Sequence, residues 1–308
     1  MYYIFPFKGK KIDYKIIKAN FLLLLTAAIW GFAFVAQRAG MAHIQPFIFN
    51  AVRFSLGFLS LLPWVIIKSD VSNYAFSEKT RISLKMVIGG GVATGTVLFL
   101  GSSLQQIGIV YTTAGNAGFI TGLYVILVPL MGTVWGQKSE TGSWIGSFLA
   151  VIGLYLLTVT EKFHISKGDF LVFLSAFFWA AHVHLISWFS RKIQPLVLAF
   201  LQFFFCAALS YICAFLFENI QMKGIQAAVI PILYTGLFSV GIAYTLQVFG
   251  QKHAPPTNAA IILSLEAVFA VLGGWMILGE VLSIRGYIGC LFLLLGMIFS
   301  QIGNIFRS

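Results

Sequence analysis

Charge is what this chain has least of. Only 9% of its 308 residues are Asp, Glu, Lys or Arg, whereas a soluble domain carries about a quarter. A soluble globular fold is therefore excluded. Cysteine is scarce as well. Cys206, Cys213 and Cys290 all fall in apolar stretches without metal-ligand spacing, and they carry no information on redox compartment. Catalytic signatures are missing too: there is no H-E-x-x-H and no G-x-S-x-G, which disfavours an intramembrane enzyme. Without a Walker A glycine loop, ATP does not drive the protein directly, and no cofactor is expected.

What the chain has instead is apolar length. Hydrophobic residues make up 59% of it, with 31 Phe. A helix needs roughly 20 apolar residues to cross a bilayer, and ten such runs occur. They are Asn20–Ala39, Phe47–Ile67, Met86–Gly108, Thr113–Trp135, Gly142–Thr160, Asp169–Ser190, Leu196–Phe217, Ala227–Gly250, Thr257–Leu278 and Ile284–Ile305. The connectors are short, which leaves no room for a separate soluble domain. The first run lacks a small-residue cleavage site and is duplicated internally, so it is expected to be a retained helix rather than a signal peptide.

The net charge of +11 is a topology signal and not a nucleic-acid footprint. With the N-terminus placed in the cytoplasm, fourteen Lys and Arg fall on that side, including Lys68, Lys138, Arg191 and Lys252. Only Arg38, Lys162, Lys167, Lys223 and Arg285 fall opposite. This positive-inside bias predicts cytoplasmic termini in a multi-pass protein of the cell membrane.

The chain is also one unit written twice. Lys18 through Pro46 corresponds to Lys167 through Pro195 at a constant offset of 149, with Trp30 matching Trp179 and Ile44-Gln45-Pro46 matching Ile193-Gln194-Pro195. Leu104-Gln105, Gly108 and Asn116-Ala117 correspond to Leu246-Gln247, Gly250 and Asn258-Ala259 at 142. Ile145-Gly146 and Gly153 correspond to Ile288-Gly289 and Gly296 at 143. Five spans per copy is an odd number, so the second copy must enter the membrane from the other side. The charges agree: basic Arg191-Lys192 stands where the first copy has Ala42-His43. The expected architecture is all-α, with ten transmembrane helices as two inverted five-helix repeats. Residues 1–19 form a basic cytoplasmic tail, 20–160 the first repeat and 161–308 the second. Inverted repeats supply two states by near-symmetry, with a substrate site near the midplane where they meet. Duplication also serves merely to build a stable bundle or a channel, and transport is the favoured of these readings.

Several motifs, in this order, carry a resemblance to a known family. They are Trp30-Gly31, Pro46 with Arg53-Phe54, Asn116-Ala-Gly-Phe-Ile and Val128-Pro129, then Asn258-Ala-Ala, Glu266, Leu278-Gly279-Glu280 and Tyr287-Ile-Gly with Gly296. The chain resembles the EamA-type branch of the drug/metabolite transporter superfamily over nearly its whole length. The resemblance implies ten helices in two inverted repeats and outward movement of small metabolites, often amino acids. It also implies a pocket between spans 1, 3 and 4 and spans 6, 8 and 9. One departure stands out: the family commonly has Glu-Pro in span 9, where this chain reads Glu266-Ala267.

Polar groups inside the bilayer are costly unless they face protein or water, so they form the candidate site. Ser102 and Gln105 share a face of span 3, matched by Tyr244 and Gln247 in span 8; they either line a pocket or hold helices together. Asn116 and Asn258 stand near the starts of spans 4 and 9, as helix caps or as part of an anion-attracting helix end. Glu266 lies mid-span and is the candidate for proton coupling, or else a scaffold acid partnered by its counterpart Tyr124. Arg53 is expected to be structural, snorkelling along its stem or pairing, with a substrate carboxylate as the other reading. His182 and His184 are two apart, about 200° around a helix, so they cannot form a two-histidine metal site. His182 shares the face of Trp179 and is the more plausible pocket residue. Trp30, Phe34, Phe119, Tyr124, Trp179 and Tyr244 are the candidate aromatic lining. The partners expected are a small-molecule solute, the lipid bilayer and a coupling proton, with no nucleic acid and no metal. A single intramembrane cation favours neutral or zwitterionic, partly apolar solutes over sugar phosphates or nucleotide sugars.

Overall fold

The computed structural model describes residues 13–68, 83–112, 114–137, 139–158, 166–278 and 283–305. The tail lysines Lys8, Lys10 and Lys11, the junction of the two copies near residue 160, and Gly279-Glu280 lie outside them. Every regular element among the described residues is helical. Helix α1 runs Tyr14–Met41, α2 Pro46–Lys68, α3 Leu84–Tyr111, α4 Ala114–Gly122, α5 Tyr124–Val134, α6 Thr141–Thr158, α7 Lys167–Phe189 and α8 Pro195–Phe217. Short α9 (Met222–Ala227) and α10 (Val229–Leu233) lead into a π-helical stretch, Tyr234–Tyr244, continued by α11 (Thr245–Gln251). Helices α12 (Pro256–Leu263), α13 (Glu266–Leu278) and α14 (Ile284–Ile305) complete the chain. Seven helical stretches are long and apolar enough to cross a membrane, and three shorter apolar ones accompany them.

Local chemistry sets the helix ends. The Asp13 side chain accepts from the Lys15 amide, and Ser166 with Asp169 forms a reciprocal capping box at the start of α7. The shared Ile-Gln-Pro motif ends each α1-type helix and starts the next, with Pro46 and Pro195 in the first turns of α2 and α8. The bundle is inside-out relative to a soluble protein: Ile66, Ile67, Phe215 and Phe217 face outward while Thr26, Asn50, Gln105 and Gln202 are buried. Lipid gives helices no hydrophobic reason to associate, so close backbone approach and interhelical hydrogen bonds must hold them.

Close approach follows the sequence duplication. A Cβ on Gly153 of α6 would stand 2.7 Å from the Gly289 carbonyl of α14, and one on Gly289 would stand 2.7 Å from the Gly153 carbonyl. Gly146 and Gly296 meet in the same reciprocal way, at 2.6 and 2.7 Å. Since Gly146 corresponds to Gly289 and Gly153 to Gly296, each contact is the other with the copies exchanged. A second pair repeats the pattern between different helices. Gly108 abuts the Gly168 carbonyl where α3 crosses α7, and its counterpart Gly250 abuts the carbonyl of Ala19, the counterpart of Gly168, where α11 crosses α1.

The two copies break one helix at the same place. The fourth apolar run is interrupted at Leu123 and the ninth at Ser264-Leu265, and Leu265 is the counterpart of Leu123. Leu123 and Ser264 have nearly the same backbone angles, φ −61° and ψ −13° against φ −62° and ψ −14°. Both breaks are closed by tight i to i+3 bonds, Ile126 N to Leu123 O and Val268 N to Leu265 O. Neither requires the proline that the family carries after Glu266. The third span is where the copies differ. Val92–Ser102 is ordinary α-helix, while its counterpart Tyr234–Tyr244 is π-helical.

Candidate functional site

The breaks and the crossings line a central cavity. α1 contributes Trp30, Phe34 and Gln37, three residues on one helix face, and α2 contributes Arg53. Gln105 comes from α3, Thr121 and Tyr124 from either side of the first break, Trp179, His182 and Val183 from α7. Ser239 and Tyr244 come from the π segment, Gln247 from α11, Leu263 and Glu266 from either side of the second break. Every polar lining side chain is buried: Arg53 is 3% exposed, Glu266 6% and Gln247 1%.

Tyr244 is the hub of an aromatic cage. Its ring centroid lies 4.5 Å from that of Trp30 and 6.3 Å from that of Trp179, with His182, Phe54 and Phe203 all within 6.2 Å. Trp179 Nε1 donates to Gln105 Oε1 at 2.8 Å, joining α7 to α3. His182 Nε2 and Gln202 Oε1 are 2.9 Å apart. With the amide oxygen accepting, Nε2 carries the proton and Nδ1 is left without a partner. Glu266 begins α13 beside the hydroxyl of Tyr124, which begins α5, so the two counterparts face each other at the two breaks.

Of the residues singled out from the sequence, Trp30, Phe34, Gln105, Tyr124, Trp179, His182, Tyr244, Gln247 and Glu266 converge here. Three do not. Ser102 turns to the Phe99 carbonyl and the Cys206 thiol. Phe119 packs against Tyr155 at 6.1 Å. Asn258 neither caps nor lines: Pro255 takes the capping position, and the amide accepts from Ser143 and donates to the Ser300 carbonyl, tying α12 to α6 and α14. Asn116 stands in the first turn of α4, and its side chain lies outside the described residues. His184 is engaged elsewhere, bonding the Val128 carbonyl. Of the readings open for Arg53, the structure shows pairing rather than snorkelling. Its Nε donates to Asn50 Oδ1 at 2.9 Å, and its guanidinium lies over the rings of Phe49 and Phe54 at 5.5 and 4.9 Å. Sequence reasoning missed Gln37, although its seven-residue spacing from Trp30 places it on the same face. The Ser239 carbonyl, exposed by the wide π turns, left no signal in the sequence.

Buried polar atoms without partners are rare in native proteins, and each calls for an explanation. Gln37 Oε1, Thr121 Oγ1, His182 Nδ1 and Gln247 Oε1 are such atoms among the described residues and belong to residues around this cavity; others, including both side-chain atoms of Gln106, lie away from it. These four place hydrogen-bonding capacity around an aromatic cage, which is the composition of a small-molecule site. Among the described residues no cluster of His, Cys, Asp and Glu has a metal-binding arrangement.

Comparison with known proteins places the chain. An uncharacterized transporter of Archaeoglobus fulgidus is 34% identical over 285 residues, covering 92% of this chain and 86% of that protein. A probable amino-acid metabolite efflux pump of Salmonella typhimurium is 22% identical over 308 residues, covering 93% and 95%. A solved crystal structure shares the fold with a TM-score of 0.75 at 18% identity, over 92% of this chain and 96% of the other. The sequences described as the EamA-like transporter family match twice in succession, over residues 17–159 and 166–301. The chain belongs to the EamA-like transporter family and is a multi-pass membrane transporter.

Proposed function

We propose that this protein is a secondary-active permease that exports an amino acid or a similar, partly apolar solute across the cell membrane by alternating access. On this reading ten spans form two inverted repeats, residues 20–160 and 161–308, with both termini and the basic 1–19 tail in the cytoplasm. The single observation that carries it is the group of unpartnered polar atoms in an aromatic cavity lined from both copies. On this reading the solute satisfies those atoms at the interface about which the repeats rock. The paired breaks at Leu123 and Leu265 are the discontinuities that such transporters place beside their sites. Export of amino-acid-like solutes is supported by the name of the Salmonella typhimurium relative. It is supported also by the presence of one cation and one acid in the cavity, a balance that suits a zwitterion. Glu266, at the start of the second half of a broken helix, is the residue assigned to proton coupling.

The test is counterflow in liposomes holding the purified protein, with the twenty amino acids and aromatic metabolites as solutes, with and without a proton gradient. Saturable counterflow of at least one of them is the expected result. Its absence for all of them, in protein shown to be folded, would refute the substrate class; a steady solute leak without saturation would indicate a channel.

A further inference from the structure

Arg53 is a buried cation that makes no salt bridge with an acid among the described residues. Desolvating a guanidinium costs several kcal/mol unless a counter-charge and hydrogen bonds compensate. Here only Nε is bonded, to Asn50 Oδ1, and among the described residues the terminal nitrogens make no hydrogen bond. The guanidinium carbon packs over the rings of Phe49 and Phe54, and Asn50 is itself positioned 3.5 Å from the Ser103 hydroxyl of α3. The Nε bond to Asn50 and the two rings hold the group at the cavity wall, where its terminal donors are unused. A planar fork of that kind matches a carboxylate in two parallel hydrogen bonds.

The rest of the wall is of the opposite character. The unpartnered atoms of Gln37, Gln247 and His182 are acceptors, and Glu266 is a carboxyl group. Trp30, Trp179 and Tyr244 provide π faces. We propose that Arg53 is the carboxylate anchor of an α-amino-acid site, with the ammonium held among the acceptors and Glu266, and the side chain in the aromatic cage. The assignment rests on the transport reading above and narrows it to zwitterions. It also explains why the cation occurs in only one copy. The counterpart of Arg53 is Gln202, which is occupied by His182, so the site has one anionic end and is read in one orientation.

The experiment takes the amino acid that gives the strongest counterflow and compares it with its α-amide, its decarboxylated amine and its des-amino acid as competitors, on the unaltered protein. Removing the carboxylate is expected to weaken competition at least about 10-fold, the loss of a charge-assisted pair. Removing the ammonium is expected to weaken it less. Arg53→Lys should keep the charge but lose the fork, weakening the amino acid while leaving competition by the amine unchanged. Arg53→Gln should abolish the preference of acid over amide. If amide and acid compete equally on the unaltered protein, the anchor is refuted while the transporter reading stands, whether or not the variants fold. If no amino acid gives counterflow, both fall together.

Discussion

Trp179 donates its indole proton to Gln105 at 2.8 Å, while the counterpart residues Trp30 and Gln247 make no such bond. Trp30 donates instead to the Ser239 carbonyl at 3.3 Å, and Gln247 Oε1 is left bare. The same four positions are thus joined on one side of the cavity and parted on the other. The π turns of Tyr234–Tyr244 make this possible, because they offer carbonyls to α1: Ser239 accepts from Trp30 and Ala243 from Thr26.

If the two copies exchange conformations during transport, the bonds should exchange as well. Trp179→Phe removes a hydrogen bond of about 1 kcal/mol. It should shift the population about fivefold toward the state in which Trp30 meets Gln247. Trp30→Phe should not produce that shift. Thiol labelling of a cysteine introduced at Val183, compared from the two sides of the membrane, reads the population. Equal accessibility in both variants and the parent would mean that the asymmetry is static.

Glu266 is predicted to separate coupling from binding. Glu266→Gln keeps the shape and a hydrogen-bonding group while removing the exchangeable proton. Counterflow should persist, with gradient-driven accumulation reduced by at least about tenfold, the equivalent of 1.4 kcal/mol of lost driving force. Survival of both activities would make Glu266 a scaffold residue.

Close approach of α6 and α14 gives a prediction independent of transport. A methyl on Gly153 would stand 2.7 Å from the Gly289 carbonyl and 2.8 Å from the Leu293 amide, so the helices must part. Gly153→Ala should cost about 1–3 kcal/mol, as overpacking does. At Gly89 nothing lies within 4 Å, and Gly89→Ala should be neutral or slightly stabilising. Thermal unfolding in detergent compares the two. Similar melting temperatures would show that the glycine seam does not hold the bundle together.

Duplication was legible in the sequence because the matching positions are ones where side-chain size or hydrogen bonding is constrained: Gly146 and Gly153 at a crossing, Trp30 and Trp179 at the cavity. The face-sharing of Ser102 with Gln105 misled because a helix inside a bundle buries more than one face, and Ser102 looks toward Cys206 of α8. The depth of Arg53 in span 2 leaves snorkelling, pairing and a substrate carboxylate all open. Burial against α8 and the π segment turned it to the cavity, which is a tertiary effect. Breakage of the fourth and ninth spans without proline at the break, and the change from α to π winding in the eighth, are backbone events. Leu123, Leu265 and Val240 look like any other apolar helix residues, so nothing in their identity announces them.

Alternating access by inverted repeats requires the two copies to be antiparallel in the bilayer. Ala42 and Arg191, both exposed in the turns before Pro46 and Pro195, report it directly. In a protein with Cys206, Cys213 and Cys290 replaced, single cysteines at these two positions should react with an impermeant maleimide from opposite sides, Ala42→Cys from outside and Arg191→Cys from the cytoplasm. Labelling of both from the same side would contradict the inverted arrangement and with it the alternating-access mechanism.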